Sequence, residues 1–433
     1  MDNHHRQNLY LYLAASFAAG ILATVGFKEL RTFWCPGRSD AQSEISRVHP
    51  ATDGIDLKDG NGLLEKESSP APSIAEGIEG CIGNTPLFRI KSLSDATGCE
   101  ILAKAEFLNG AGGSPKDRVA LSIIKMAEER GLLTPHSGDT IYEGTVGSTG
   151  ISLATLCRAR GYLAHICMPS DQSTEKSDLL LKLGAEVERV LPAPIVDQNQ
   201  FVNLARLRAS EHAFDPSHPG TGFFADQFET TANWLAHYNG TGPEIYRQTG
   251  GRLDAFIAGA GTGGTISGVA RFLKPRLPGL RILLADPEGS GLYNRVKFGV
   301  MFDMREREGT RRRHQVDTIV EGIGINRVTA NFEAGRELID DAVRVTDEQA
   351  AAMARWLVER DGIFVGSSSA VNCVAAAKAA LELGPGHRVV TILCDSGTRH
   401  LSKFWAKVGN IGGVSGGMEL EDVIHAGCDG GGN

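Results

Sequence analysis

"DAFIAGAGTGGTISG", Asp254–Gly268, decides the fold class. A short apolar run reads as a buried strand, five glycines follow within ten residues, and "TISGVARFL" resumes at helical spacing. The unit is therefore strand, tight turn, helix. Runs of the same kind recur along the chain: "EILAKAEF", "TIYEG", "YLAHICM", "AEVERV", "LRILLAD", "GIFVG" and "RVVTILC", each separated from the next by amphipathic or alanine-rich segments. Such alternation predicts an α/β protein whose mostly parallel sheet is covered by helices on both faces. Ligands of such sheets sit at the carboxyl ends of the strands.

Three loops in that position carry chemistry. In the first, glycine lets the backbone of Gly259–Gly268 approach a phosphate at a helix N-terminus, and Thr262 and Thr265 add hydroxyls. Gly259, Gly261 and Gly264 also satisfy GxGxxG, with Asp286 about twenty residues on, so a nicotinamide-dependent oxidoreductase stands as a rival reading. A purely structural turn is the third. The second loop, "EGTVGSTGISLA" from Glu143 to Ala154, enters a helix near Thr149 and offers backbone N–H groups to an anion, or simply an N-cap turn. The third, "CDSGTR" from Cys394, offers Asp395 and Ser396.

"NGAGGSPKDRVALSIIKMAEERG", Asn109–Gly131, adds a lysine. Ser114 and Asp117 suggest a capping box, Pro115 suits the first helical position, and Val119, Ile123, Met126 and Ala127 recur at helical spacing. That places Lys116 in the first turn, where roughly half a positive charge disfavours an ammonium and favours a neutral or covalently modified amine. Lys116 is thus a candidate nucleophile, against the plain alternative of a lysine extended into water.

Composition bounds the rest. The chain has 433 residues, 42% hydrophobic and 22% charged, with net charge −8. This is ordinary for a soluble protein large enough for two lobes, and nothing points to nucleic acid. Its eight cysteines are scattered without a CxxC pair, so no structural metal and no disulfide framework is expected. Residues 9–27, "LYLYLAASFAAGILATVGF", form a 19-residue run without charge that just spans a bilayer core at about 1.5 Å per residue. We read residues 1–8 as a flank, 9–27 as a transmembrane anchor and 28–73 as a linker. The folded region follows at 74–411, with a smaller lobe at about 114–225, and 412–433 reads as a glycine-rich disordered tail. Lys28, Arg31 and Arg38 follow the span where only Arg6 precedes it, which orients the folded region to the cytosol.

"IGNTPL" (Ile82–Leu87), "GGSPKDR" (Gly112–Arg118), "QFE" (Gln227–Glu229), "GTGPEIYRQTGG" (Gly240–Gly251), "GTGGTISG" (Gly261–Gly268), "EGIG" (Glu321–Gly324) and "DSGTRHLS" (Asp395–Ser402) occur in one order over about 74–408. In these motifs the chain resembles the cysteine synthase and cystathionine β-synthase family of pyridoxal-phosphate enzymes. With its N-terminal run and the insert "KFGVMFDMREREGTRRRHQVDT", it is similar to the fungal membrane-anchored branch associated with the mitochondrial outer membrane.

The resemblance implies a two-lobed fold type II enzyme preceded by one transmembrane helix, and a homodimer. It implies pyridoxal 5'-phosphate held covalently by Lys116, its phosphate on Gly261, Thr262, Gly263, Gly264 and Thr265, and its pyridine nitrogen on Ser396. It implies a substrate carboxylate on Thr145, Val146, Gly147, Ser148 and Thr149, helped by Gln227. Here the chain departs from the family's TSGNT pattern: Val146 replaces a serine, and Ser148 replaces the asparagine that reaches the cofactor's ring oxygen. The implied reaction replaces the β-substituent of O-acetylserine with sulfide to give L-cysteine. Cystathionine synthase or cysteine lyase chemistry, and an anchored non-catalytic cofactor-binding protein, stand as alternatives. The insert's Arg311, Arg312 and Arg313 read as a solvated run, a lipid contact, a subunit contact, or a site for an anionic donor such as O-phosphoserine.

Overall fold

The computed structural model describes residues 74–212, 220–302, 318–411 and 417–427. The chain divides into Met1–Pro72 and Ser73–Asn433, and all described residues lie in the second unit. Its strands are β1 (Leu87–Arg89), β2 (Glu100–Ala105), β3 (Thr140–Gly144), β4 (Leu163–Pro169), β5 (Glu186–Val190), β6 (Gly222–Phe224), β7 (Ala255–Gly259), β8 (Arg281–Pro287), β9 (Asp341–Val345) and β10 (Arg388–Leu393). They form a six-stranded sheet in the order β1-β2-β10-β7-β8-β9 and a four-stranded sheet in the order β5-β4-β3-β6. Every pairing is parallel except that of β1 with β2.

The larger sheet is buried on both faces, which is why its strands read as continuous apolar runs. Ile101, Ala103, Ala255, Ile257, Leu283 and Ala285 pack on one side against the helices Asp347–Asp361 and Ser367–Leu383. Their neighbours Leu102, Phe256, Ala258, Ile282 and Leu284 fill the other side. The period of two along each strand sends alternate residues to opposite cores. In the smaller sheet Ile141, Ile166 and Met168 meet α1 (Lys116–Glu129) and α2 (Ser148–Arg160). All four of its strands fall within 114–225.

Two further helices place loops of the site: α3 (Thr174–Lys182), after β4, and α4 (Gly264–Leu273), after β7. The expected alternation is present, with three strands, β1, β6 and β9, that the apolar runs did not reveal. "GIFVG" is a correction. It forms no strand, only an isolated bridge between Val365 and Ser396, because Gly362 ends the preceding helix in the left-handed conformation and Gly366 caps the next. The tail is another. Within 412–433, α5 (Leu420–His425) forms, capped by Glu419 and Asp422, and it buries Leu420 and Val423 in the main core. Residues 9–27 and Arg311–Arg313 lie outside the described residues. Among the described residues no helix is long and apolar enough to cross a membrane.

Candidate active site

A cavity of about 310 Å³ is lined by the segments that follow the carboxyl ends of β3, β6, β7 and β10. Lys116, Thr145, Val146, Ser148, Thr149, Gln227 and Gly261–Thr265 all line it. The loops named from sequence thus converge on one space.

Lys116 is the first residue of α1 and reaches the cavity from the smaller lobe. The expected capping box takes a different form. Pro115 occupies the N-cap position, Ser114 Oγ accepts from the Lys116 N–H at 3.2 Å, and Asp117 accepts from the Gly112 and Gly113 N–H groups, both at 2.8 Å. The Ser114 N–H also donates to Asp117, at 3.5 Å, but the Asp117 N–H donates to the Ser114 carbonyl at 3.1 Å rather than to its hydroxyl, so only half of the box forms. Burial holds the Lys116 amine below its ordinary pKa, and Cys394, Asp395 and Glu106 oppose that shift electrostatically. Behind it Arg118 is clamped between Glu106 (2.7 Å) and Glu244 (2.7 Å), fixing α1 to the larger lobe.

The loop Thr145–Thr149 leaves β3 and starts α2. Gly147 holds φ at +136°, a conformation that L side chains rarely adopt, and the stem of Lys176 fills the space where its Cβ would stand. Val146 turns to the apolar group of Cys167, Phe201 and Val202. Thr149 Oγ1 donates to Gln227 Oε1 at 2.5 Å, and Gln227 Nε2 donates to Glu143 and to the Gly144 carbonyl. Burial pushes the Glu143 carboxyl up to about 8.

The glycine loop is a close-fitting cradle. A Cβ at Gly261 would stand 2.4 Å from the Gly322 carbonyl oxygen, and one at Gly264 would stand 1.8 Å from Asn233 Oδ1. Gly263, at φ +85°, abuts the Phe332 backbone. Thr262 Oγ1 accepts from Asn233 at 2.8 Å, and Thr265 Oγ1 lies 3.2 Å from His237 Nε2. Burial lowers the His237 imidazole to about 3, so it is neutral. The α4 N-terminus directs its N–H groups at the cavity, which favours an anion. Asn233 and His237 carried no sequence signal.

Two expectations fail here. Asp286 is fully buried, accepts from the Tyr293 N–H at 2.7 Å and does not line the cavity, so the dinucleotide reading loses its ribose ligand. Ser396 is not among the lining residues either; its hydroxyl accepts from the Thr398 N–H at 3.3 Å, because the chain turns away after Asp395 to cap a short helix. The seryl hydroxyl on that wall is Ser368, 5% exposed and hydrogen-bonded to the Cys394 thiol, which burial pushes up to about 11.

The sequence model described as "Pyridoxal-phosphate dependent enzyme" matches residues 78–395. Cysteine synthase 2 of Emericella nidulans is 66% identical over 426 residues, 96% of this chain and 98% of that protein. The "Putative mitochondrial cysteine synthase" of Saccharomyces cerevisiae is 55% identical over 84% of this chain and 91% of its own. A crystal structure of the O-acetylserine dependent cystathionine β-synthase from Helicobacter pylori superposes with a TM-score of 0.65 at 33% identity, covering 77% of this chain and 99% of that one.

Proposed function

The chain belongs to the pyridoxal-phosphate dependent enzyme family, and from that premise we propose that it is a cysteine synthase that replaces the acetoxy group of O-acetylserine with sulfide. The observation that carries this reading is the convergence on one cavity of a depressed lysine amine, a glycine cradle at a helix N-terminus and a hydroxyl-bearing loop.

These residues fit the cofactor. Glycines too crowded for any Cβ leave backbone N–H groups free to approach a phosphate, and the α4 dipole complements its charge. Lys116 is the attachment point. Ser368 takes the role expected of Ser396, since its hydroxyl stands on the cavity wall. Bound there, pyridoxal phosphate supplies an electron sink for the substrate's α-carbon. The chain's own groups do the rest. The N–H groups of the Thr145–Thr149 loop, whose last residue Gln227 holds in place through the Thr149 hydroxyl, bind the substrate carboxylate and so fix the α-carbon. Lys116, its pKa held down by burial, takes the α-proton as a free amine while acetate departs. Sulfide then occupies the β-carbon, and Lys116 returns the proton. With Val146 turned to an apolar group, the loop lacks the hydroxyl that the family pattern has at that position, and the Ser148 hydroxyl stands where the pattern has an amide.

Incubating cofactor-loaded protein with O-acetylserine and sulfide tests the reading, with L-cysteine as the expected product. No cysteine, but thioether formed from homocysteine, would transfer the assignment to cystathionine synthesis, the chemistry for which the Helicobacter enzyme is named. Cofactor absorbance without any turnover would leave a binding protein.

We infer three further features. Residues 9–27 form a membrane anchor, supported by a 19-residue charge-free run. The organelle is the mitochondrion, for which the name of the yeast relative is the support, and the outer membrane is what the resemblance to the fungal anchored branch implies. The enzyme is a homodimer. Carbonate extraction of isolated organelles and sedimentation of the soluble unit test them.

A further inference from the structure

Lys176 carries no signal in the sequence, yet it is 2% exposed in the first turn of α3. A lysine is almost never so buried unless paired, and a cation at a helix N-terminus is unfavourable for the helix. Something outside the helix holds it. Its Nζ donates to Glu321 Oε2 at 2.8 Å, across the cavity from α3 to the loop after the insert. Glu321 is fixed in turn: its N–H donates to Ser367 Oγ at 2.9 Å, and its Oε2 lies 3.1 Å from His400 Nδ1. The other nitrogen of His400 lies 3.0 Å from Asp395, and Lys403 Nζ stands 3.6 Å from Glu321 Oε1. The neighbouring Glu175 accepts from the Ser402 N–H (2.9 Å) and hydroxyl (2.6 Å). The first turn of α3 is therefore docked to the larger lobe at two adjacent residues.

The stem of the same lysine has a second contact. A Cβ at Gly147 would stand 2.5 Å from Lys176 Cδ and 3.2 Å from its Cγ, so the stem lies flat on the central residue of the loop Thr145–Thr149. One side chain thus touches the loop of the smaller lobe and the charged wall of the larger. Stability alone does not require this. An apolar residue of similar length would cover Gly147 as well, and replacing a buried ion pair by apolar groups is often neutral or stabilising.

We propose that Lys176 is a positioning residue that sets the Thr145–Thr149 loop against the far wall of the cavity, its stem bracing Gly147 and its ammonium anchored on Glu321. The functional consequence rests on the proposed reading that this loop takes the substrate carboxylate. Because Val146 provides no hydroxyl, the loop depends more on backbone N–H groups, whose aim follows from where the loop is held.

The test uses the full-length, cofactor-loaded enzyme and the variants K176M, K176R and K176M/E321Q. Methionine keeps the apolar stem and removes the anchor. Amide hydrogen exchange in the peptide 143–154 should be at least tenfold faster in K176M and near the wild-type rate in K176R, with unchanged cofactor absorbance. The O-acetylserine concentration that half-saturates the absorbance change without sulfide should rise about tenfold in K176M while the KM for sulfide stays within twofold. The double variant should be no weaker than K176M, since both changes cut one tie. Equal exchange in wild type and K176M overturns the positioning role, as does a double variant whose half-saturating O-acetylserine concentration exceeds that of K176M tenfold or more. If the wild type shows no response to O-acetylserine, the substrate reading falls, while the exchange comparison still decides whether Lys176 holds the loop.

Discussion

Thr149 and Gln227 stand far apart in the chain, and their side chains meet at 2.5 Å, with Thr149 Oγ1 donating to Gln227 Oε1. The amide nitrogen of Gln227 is committed inward, to Glu143 at 3.3 Å and to the Gly144 carbonyl at 3.2 Å. The end of β3, the start of α2 and the segment after β6 are thereby one hydrogen-bonded unit. Glu143, which faces no cation in that unit, is the costly member: burial, then repulsion from Asp226, raise its carboxyl to about 8.

That shift sets a pH dependence. A carboxyl whose folded pKa lies above its unfolded value binds more protons when folded, so its share of stability is complete below the unfolded pKa, near 4.5, and is lost as pH rises toward about 8. The share is on the order of a few kcal/mol. Urea unfolding at pH 5, 7 and 8.5 should show wild-type stability falling across this range more steeply than in Glu143→Gln, which retains the neutral form throughout. Parallel pH profiles for the two proteins would mean that Glu143 is ionised in the fold at neutral pH.

Lys116→Ala should abolish cysteine formation and the absorbance of covalently held cofactor. The fold should persist, because Ser114 and Asp117, which organise the turn before α1, are untouched. An unaltered thermal midpoint with no visible band is the expected pair of observations. Residual turnover above about one part in a thousand would place the attachment elsewhere.

Ser368→Ala and Ser396→Ala separate two hydroxyls. Ser368 lines the cavity and Ser396 does not. We expect Ser368→Ala to shift the cofactor band and lower kcat by at least tenfold, while Ser396→Ala stays within threefold of wild type. The opposite ranking would restore the expectation drawn from sequence.

That pair shows where sequence reading stops. Strand, glycine turn and helix were legible at β7 and α4 because apolar period and glycine placement are local properties. Lys116 and the loop Thr145–Thr149 were legible for the same reason: each is a short motif at a helix start. Ser368 was not, since nothing within its own stretch says that α-helix Ser367–Leu383 starts at a cavity wall. Neither was Lys176, whose meaning is a contact with Glu321, 145 residues on in sequence. Strands β1 and β6 were missed because three residues each give no period to read.

Removing Met1–Pro72 should leave an active enzyme. Ser73–Asn433 forms a unit with its own cores, and every residue of the proposed site lies in it. Kinetic constants within about twofold of the full chain are expected, together with loss of membrane association. A folded, cofactor-bound fragment without activity would assign the removed segment a part in catalysis.

The substrate loop provides the last test. Val146 packs beside Phe201 and Val202, and Ser148 lines the cavity at the first position of α2. Val146→Ser would give up part of that apolar contact, on the order of 1 kcal/mol of stability, and would supply a hydroxyl at the cavity. Ser148→Asn extends an amide into the same space. A hydrogen bond to a charged carboxylate contributes about 1.5–3 kcal/mol, against which the packing loss acts on folding rather than on binding. The double variant Val146→Ser/Ser148→Asn should therefore bind O-acetylserine about tenfold more tightly, with a thermal midpoint lowered by a few degrees. Gly147 must stay, since its φ of +136° and the Lys176 stem against it leave no room for a side chain. If affinity for O-acetylserine is unchanged or poorer while the thermal midpoint falls as expected, the hydroxyl is present but unused. The loop is then shaped for a donor whose carboxylate lies elsewhere, and a panel of O-activated serines should contain one that the wild type binds better than the variant.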